Sequence, residues 1–125
     1  MVPRILIVDD SSLIRDLLRK SLESVPGWQV CAEAVNGEEA IELAQRMHPN
    51  FIVLDLSMPV MNGLQAAKAL NELMPAVPKI MFTSFITQHL EQEAYACGVV
   101  RVISKDDSVN SLISAVQLLA LKDVA

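Results

Sequence analysis

Four short apolar runs in this chain each stop on a polar residue able to do chemistry. Arg4-Ile-Leu-Ile-Val-Asp9-Asp10 ends on two acids and Phe51-Ile-Val-Leu-Asp55 on one. Lys79-Ile-Met-Phe-Thr83 ends on a hydroxyl, and Val99-Val-Arg-Val-Ile-Ser-Lys105 on a cation. Runs this short and this rich in β-branched residues have the character of strands buried on both faces of a parallel sheet. Parallel strands finish at one edge of their sheet, and ligands bind in the crevice beyond that edge, where the strand order reverses. One architectural assumption thus gathers three carboxylates, a hydroxyl and an ammonium group. That set suits a divalent cation and a phosphoryl group.

Strand-like and helix-like segments alternate five times. A strand at about Arg4–Val8 leads to a helix at about Ser11–Ser24, with Leu13, Ile14, Leu17, Leu18 and Leu22 as its apolar stripe. Pro26-Gly27 breaks the pattern before a second strand at about Trp28–Ala34. Asn36, with Glu39 three residues later, has the form of a capping box for a helix that runs to about His48. The third strand is Phe51–Asp55, and the third helix spans about Gly63–Met74 with Ala66, Ala67, Leu70 and Leu73 inward. The fourth strand, Lys79–Thr83, precedes a helix at about Thr87–Cys97 whose stripe is Ile86, Leu90, Ala94 and Cys97, with Gly98 just past its end. The fifth strand is Val99–Ser104, and Ser108 caps a last helix with Leu112, Ile113, Val116, Leu119 and Ala120 as its stripe. Right-handed crossovers place helices on both faces of such a sheet. The expected fold is a doubly wound, flavodoxin-like α/β sandwich, one domain over 1–125, with a five-stranded parallel sheet in the order 2-1-3-4-5.

Composition narrows the functional classes. The net charge of −5 argues against direct nucleic-acid binding, which draws its affinity from clustered Lys and Arg. The chain is 52% apolar, yet no stretch approaches the roughly 20 apolar residues of a membrane span. The Met1-Val-Pro-Arg4 start has no apolar signal core, which favours a cytoplasmic location. Cys31 and Cys97 are far apart in sequence and read as buried free thiols of a reducing compartment. His48 reads as a helix terminator and His89 as an exposed helical residue; neither has a partner at ligand spacing. Trp28 and Tyr95 read as packing residues, and Met58 and Met61 as loop packing over the third strand.

Asp9 and Asp10 are neighbours, so their side chains would diverge in a continuing strand. Both reach one pocket only if the pleat breaks there. Three carboxylates in one crevice repel one another, and without a cation at least one of them should have a raised pKa. Mg2+ takes oxygen ligands in an octahedron and keeps several waters. Asp10 and Asp55 are the expected direct ligands, with Asp9 acting through water and a backbone carbonyl assigned to Ser57. Asp55 is also a competent nucleophile toward phosphorus. Phosphoryl transfer needs alignment and charge neutralisation more than acid–base work, and Lys105 and Thr83 are placed to supply both.

The constellation resembles the receiver domain of two-component response regulators. The resemblance covers essentially the whole chain and rests on Ile-Val-Asp9-Asp10-Ser, on Asp55-Leu-Ser-Met-Pro59-Val-Met-Asn-Gly63, on Met81-Phe-Thr83-Ser84 and on Ile-Ser-Lys105. It implies that Asp55 is the phosphoacceptor, that Asp9 and Asp10 form the acidic Mg2+ site, that Thr83 is the switch hydroxyl and that Lys105 senses the phosphoryl group. It also implies a donor: a phosphohistidine on a sensor histidine kinase or a histidine phosphotransfer protein, with small phosphodonors able to substitute. Two positions depart from the usual pattern. Val102 stands where many receivers carry a switching aromatic, and Asp106 where many carry proline after the lysine. A Lys-Asp pair at this place is similar to receivers that carry helix-turn-helix outputs.

Ser57 and Phe85 each lie two residues past a site residue and flank the expected phosphoryl position; Phe85 is expected to shield it from water. If Thr83 follows the phosphoryl group, Ser84–Thr87 must move and carry the change into the fourth helix. The face of helix four, strand five and helix five is then the expected output surface, polar through Gln88, Gln92, Glu93 and Arg101, and a candidate for phosphorylation-favoured homodimers. Three rival readings are weaker. A phosphohydrolase working through an aspartyl phosphate commonly needs an acid two residues past the nucleophile, where this chain has Ser57, so the reading is a signalling module with self-catalysed phosphotransfer and no metabolic turnover. A flavodoxin-type cofactor binder would need a Ser/Thr/Gly-rich phosphate loop after the first strand, where Asp9-Asp10 would repel phosphate. A phosphate-independent scaffold would not need the full residue set.

Overall fold

The computed structural model describes residues 3–124, in which five strands alternate with five helices. In chain order they are β1 (Arg4–Val8), α1 (Ser12–Glu23), β2 (Gln29–Ala34), α2 (Gly37–Met47) and β3 (Phe51–Leu54). There follow α3 (Gly63–Leu73), β4 (Lys79–Thr83), α4 (Gln88–Ala96), β5 (Val99–Ser104) and α5 (Val109–Val124). Every strand pair is parallel and the order is β2-β1-β3-β4-β5, the doubly wound sandwich that the apolar runs predict. Among the described residues no helix is long and apolar enough to cross a membrane.

The two-residue period of a strand sorts its side chains into two layers. Leu6, Val8, Ile52, Leu54 and Met81 face one layer, packed on Ala40 and Ala44 of α2, Ala66, Ala67 and Leu70 of α3, and Leu90 and Ala94 of α4. Ile5, Ile7, Phe51, Val53, Ile80 and Phe82 face the other, packed on Leu18 and Leu22 of α1 and Leu112, Ala115 and Val116 of α5. Each large aliphatic side chain fully withdrawn from water stabilises the fold by roughly 1.5–3 kcal/mol, so this double layer dominates the energetics.

Helix ends are fixed by specific bonds. Ser11, Asn36, Asn62 and Thr87 are the N-caps of α1 to α4. The reciprocal capping box lies at Asn62 and Gln65; at α2 the Glu39 carboxylate instead accepts from the Val35 amide at 3.3 Å. At C-termini, cations at strand starts take the last carbonyls. Arg4 Nη1 donates to the Met47 and His48 carbonyls at 2.6 and 3.0 Å, and Lys79 Nζ donates to Met74 O at 2.6 Å. Gly98 closes α4 at φ 98°, where a Cβ would also lie 2.4 Å from the Asn71 side chain.

Some side chains expected inside lie outside. Leu13 and Leu17 are 77% and 47% exposed, because α1 turns only Leu18 and Leu22 fully into the core. Leu73 and Tyr95 are also about half exposed. Cys31 and Cys97 are free thiols at intermediate depth. Burial pushes the Cys31 thiol up, against the pull of the Arg4 charge.

Candidate functional site

The ladder between β1 and β2 ends where the Asp9 amide donates to Ala34 O at 3.0 Å. Beyond it the Asp9 carboxylate folds back, Oδ1 accepting from the Ser11 amide at 2.9 Å, and Ser11 in turn caps α1. This local turn breaks the pleat, as the adjacent acids require. On the other side of β1, the Asp55 amide donates to Val8 O at 2.9 Å, in the register that pairs Val8 with Leu54. One oxygen from each of Asp9, Asp10 and Asp55 lies within 4.8 Å of the others. Asp9 and Asp55 are buried at 2% and 6% exposure, and Asp10 faces solvent.

Lys105 and Thr83 arrive from the neighbouring strands. The Lys105 amide donates to Thr83 O at 2.9 Å, and Thr83 pairs with Ser104 in the β4–β5 ladder. Lys105 Nζ lies 2.7 Å from Asp9 Oδ2 and 3.2 Å from Asp55 Oδ2. Thr83 Oγ1 is buried and has no hydrogen-bond partner among the described residues. A buried hydroxyl left unsatisfied is costly in an apolar core, and is understandable where a ligand oxygen is to be met.

The loop from Asp55 to α3 is tightly built. Leu56 N donates to Asp55 Oδ1 at 2.8 Å, and Gly63 N to Leu56 O at 2.8 Å. A Cβ on Gly63 would lie 2.1 Å from the Asp55 carbonyl oxygen, so only glycine lets α3 begin this close to the acid. Val60 has φ 69°, and Met61 N donates to Pro59 O across it at 2.7 Å, a compact three-residue turn in a backbone region that β-branched residues rarely adopt. The same loop is tied to α2, where Gly37 N donates to Met61 O at 3.1 Å. Ser57 is exposed on this loop, and Phe85 is 71% exposed beside β4.

Burial raises the Asp55 pKa and the Asp9 charge adds to the rise, while Lys105 pulls it down. Burial alone would lower Lys105, but its hydrogen bond to Asp9 and the charges of Asp55 and Asp9 outweigh that and hold it above its ordinary range. The ammonium is thus a fixed positive charge between two acids. The donor set is all oxygen, as a hard divalent cation requires, and three carboxylates facing one cation leave positive charge wanting at the rim. With Lys105 between two of the acids and the unpartnered Thr83 hydroxyl at the end of β4, the cluster fits a cation together with a tetrahedral oxyanion.

Sequence reasoning brings Asp9, Asp10, Asp55, Thr83 and Lys105 to this edge, and the structure gathers all five there. It overlooks Arg15 and Glu33. Arg15 Nη1 donates to the Asp9 carbonyl at 2.8 Å and Arg15 Nε to Glu33 Oε1 at 3.0 Å. No motif marks them; the signal is an arginine one helical turn past the α1 cap, opposite an acid on the strand beside β1.

Comparison with known proteins agrees with this geometry. The family model described as the response regulator receiver domain matches residues 5–117. A protein-glutamate methylesterase/protein-glutamine glutaminase of Methanosarcina acetivorans is 39% identical over 107 residues, 84% of this chain and 30% of that protein. The chain therefore spans under a third of that relative's length. The solved response regulator domain of Thermotoga maritima CheB is 32% identical with a TM-score of 0.82, covering 96% of this chain and 92% of that one. A two-component response regulator of the LuxR family from Aurantimonas is 27% identical with a TM-score of 0.91, covering 95% of this chain and 85% of that one.

Proposed function

The chain belongs to the response regulator receiver domain family, and from that premise we propose that Asp55 accepts a phosphoryl group from a phosphohistidine of a sensor kinase or phosphotransfer protein. The observation that carries this reading is the cluster itself. Three carboxylates within 4.8 Å of one another face a lysine held between two of them, at the sheet edge that also presents a buried, unpartnered threonine hydroxyl.

Asp9, Asp10 and Asp55 would hold Mg2+, with the Ser57 carbonyl as a further oxygen; when bound, the cation supplies charge neutralisation for the incoming phosphoryl oxygens. The chain's residues do the rest. An oxygen of ionised Asp55 forms the new O–P bond as the donor's N–P bond breaks, and the electron pair returns to the donor imidazole. Lys105 turns from its pairing with Asp55 toward a phosphoryl oxygen, and Thr83 Oγ1 donates to another. Ser57 offers no carboxylate to activate water, so the acyl phosphate persists as a signal. Its release is slow self-catalysed hydrolysis, and the domain is a switch without metabolic turnover.

Movement of Thr83 draws Ser84–Thr87 with it and shifts α4, so the α4-β5-α5 face carries the output, either to a further domain or to a second copy. Gln88, Gln92, Glu93 and Arg101 are all exposed on that face. Val102 is only partly buried and packs on the core layer under α4, so the shift proceeds without an aromatic rotating inward. The net charge of −5 argues against nucleic-acid contact by this domain, and the proposed site of action is the cytoplasm.

Intact-protein mass spectrometry after incubation with Mg2+ and a small phosphodonor tests the reading. One added phosphate is expected in the wild type and none in Asp55→Ala. No adduct in the wild type, or one that survives the substitution, would sink it.

A further inference from the structure

We propose that Arg15 is a positioning residue that fixes the peptide plane joining the two acids Asp9 and Asp10, and so sets their affinity for a divalent cation. The inference rests on the receiver reading of the site and assigns a role to a side chain outside the acid cluster. The Asp9 carbonyl lies just past the last rung of the β1–β2 ladder. A carbonyl there needs a partner, and Arg15 Nη1 provides it at 2.8 Å. The Asp9 carbonyl and the Asp10 amide share one rigid plane. A bond that fixes the carbonyl therefore fixes the N–Cα bond of Asp10, and leaves the single rotation φ to set where its side chain leaves the backbone. Asp9 itself is held by its amide, by the Ser11 amide and by Lys105. Asp10, exposed and one peptide further on, depends on that plane.

Arg15 is held in turn. Its side chain is 16% exposed, and Nε donates to Glu33 Oε1 at 3.0 Å. The other Glu33 oxygen accepts from Arg19 Nε at 2.7 Å. Glu33 stands on β2 opposite Ile7 of β1, so the edge strand supplies the anchor for the loop at the end of its neighbour. Arg19 shares the anchor but spends its other contacts away from the site, on Val30 O at 3.4 Å and Glu23 at 3.7 Å.

The sign of the effect separates positioning from electrostatics. Removing a cation beside an acidic site strengthens cation binding if charge alone matters. Releasing the Asp9–Asp10 plane weakens it. Supporting partners of metal ligands are typically worth about 10–100-fold in affinity.

Isothermal titration of Mg2+ into the wild type, Arg15→Ala, Arg15→Met and Arg19→Met decides the matter, with urea midpoints followed by Trp28 fluorescence. Arg15→Met keeps the packed stem and loses every donor, so it serves if Arg15→Ala fails to fold. A rise in Kd of about tenfold or more is expected for the Arg15 variants. Arg19→Met is expected to lose comparable stability while its Kd stays within about twofold of the wild type. Wild-type binding with an unchanged or tighter Arg15→Met isotherm would overturn the inference alone, as would an equal loss of affinity in Arg19→Met. Absence of saturable binding in the wild type would overturn the receiver reading, and this inference with it.

Discussion

Lys79 occupies an unusual environment for a charged residue: its side chain is among the largest fully buried ones, at 1% exposure. Among the described residues no carboxylate pairs with it; its bond is to Met74 O at 2.6 Å, at the C-terminal end of α3. A cation there is favoured by the helix dipole and by the Met74 carbonyl, which also accepts from the Val77 amide at 3.2 Å. Burial works against it and lowers its pKa. A lysine whose folded pKa lies below its unfolded one costs stability throughout neutral pH. The cost is relieved as pH climbs through the folded value toward the ordinary lysine range. Lys79→Met keeps the apolar stem and removes the charge, at the expense of one carbonyl bond. It is expected to raise the unfolding free energy by roughly 1 kcal/mol at neutral pH, with the gain shrinking at high pH. Urea titrations across that range measure it; a less stable variant would mean that the helix cap outweighs the buried charge.

At the scale of elements, the junction of β3 and α3 is the tightest point of the site. Gly63→Ala would drive a Cβ to 2.1 Å from the Asp55 carbonyl oxygen, so α3 must retreat or the loop must deform. A loss of about 3 kcal/mol is expected, with slower phosphorylation by a small donor because Asp55 is displaced. An unperturbed urea midpoint would show that the loop yields freely. This junction also shows what the sequence discloses. Strand ends are legible because apolar runs stop abruptly on Asp9, Asp55, Thr83 and Lys105, and a parallel sheet aligns those stops. The burial of helix residues is less legible. Leu13 and Leu17 fit the periodic stripe of α1 but sit on its flank, because a stripe five residues wide exceeds what one packed contact can cover. Capping is ambiguous for the same reason of local degeneracy. Asn36 and Glu39 have the spacing of a capping box, yet Glu39 reaches Val35, while Asn62 and Gln65 make the reciprocal pair. Arg15 and Glu33 are invisible in one dimension, since their meeting depends on β2 lying beside β1. Lys79 reads as a strand opener, and only the position of α3 shows that it is buried.

For the whole molecule, the site is a source of instability that the proposed ligand should remove. Four strands, β1, β3, β4 and β5, deliver their polar ends to one edge, and two of the three acids there are buried. Burial and the Asp9 charge raise the Asp55 pKa against the pull of Lys105. A group whose folded pKa is raised favours the fold at low pH, where it is protonated, and that contribution is lost as pH rises through the folded value. Ionised Asp55 is therefore a local cost at neutral pH. Asp55→Asn should be more stable than the wild type in the presence of a chelator, and its stability should fall less as pH rises from acid to neutral; Lys105 keeps its partner Asp9 in the variant. A cation that binds only the folded chain stabilises it by mass action, by about 2.7 kcal/mol at a hundred times its Kd. For a domain of this size that corresponds to a rise in Tm on the order of 10 °C. The wild-type midpoint should climb with the logarithm of Mg2+ concentration once the Kd is passed, while Asp55→Asn should show a much flatter response. Calorimetric scans of both proteins, with chelator and with increasing Mg2+, give the two slopes. Parallel slopes would separate the acid cluster from cation binding, and an Asp55→Asn protein less stable in chelator would show that the ion pair with Lys105 outweighs the cost of burying the acid.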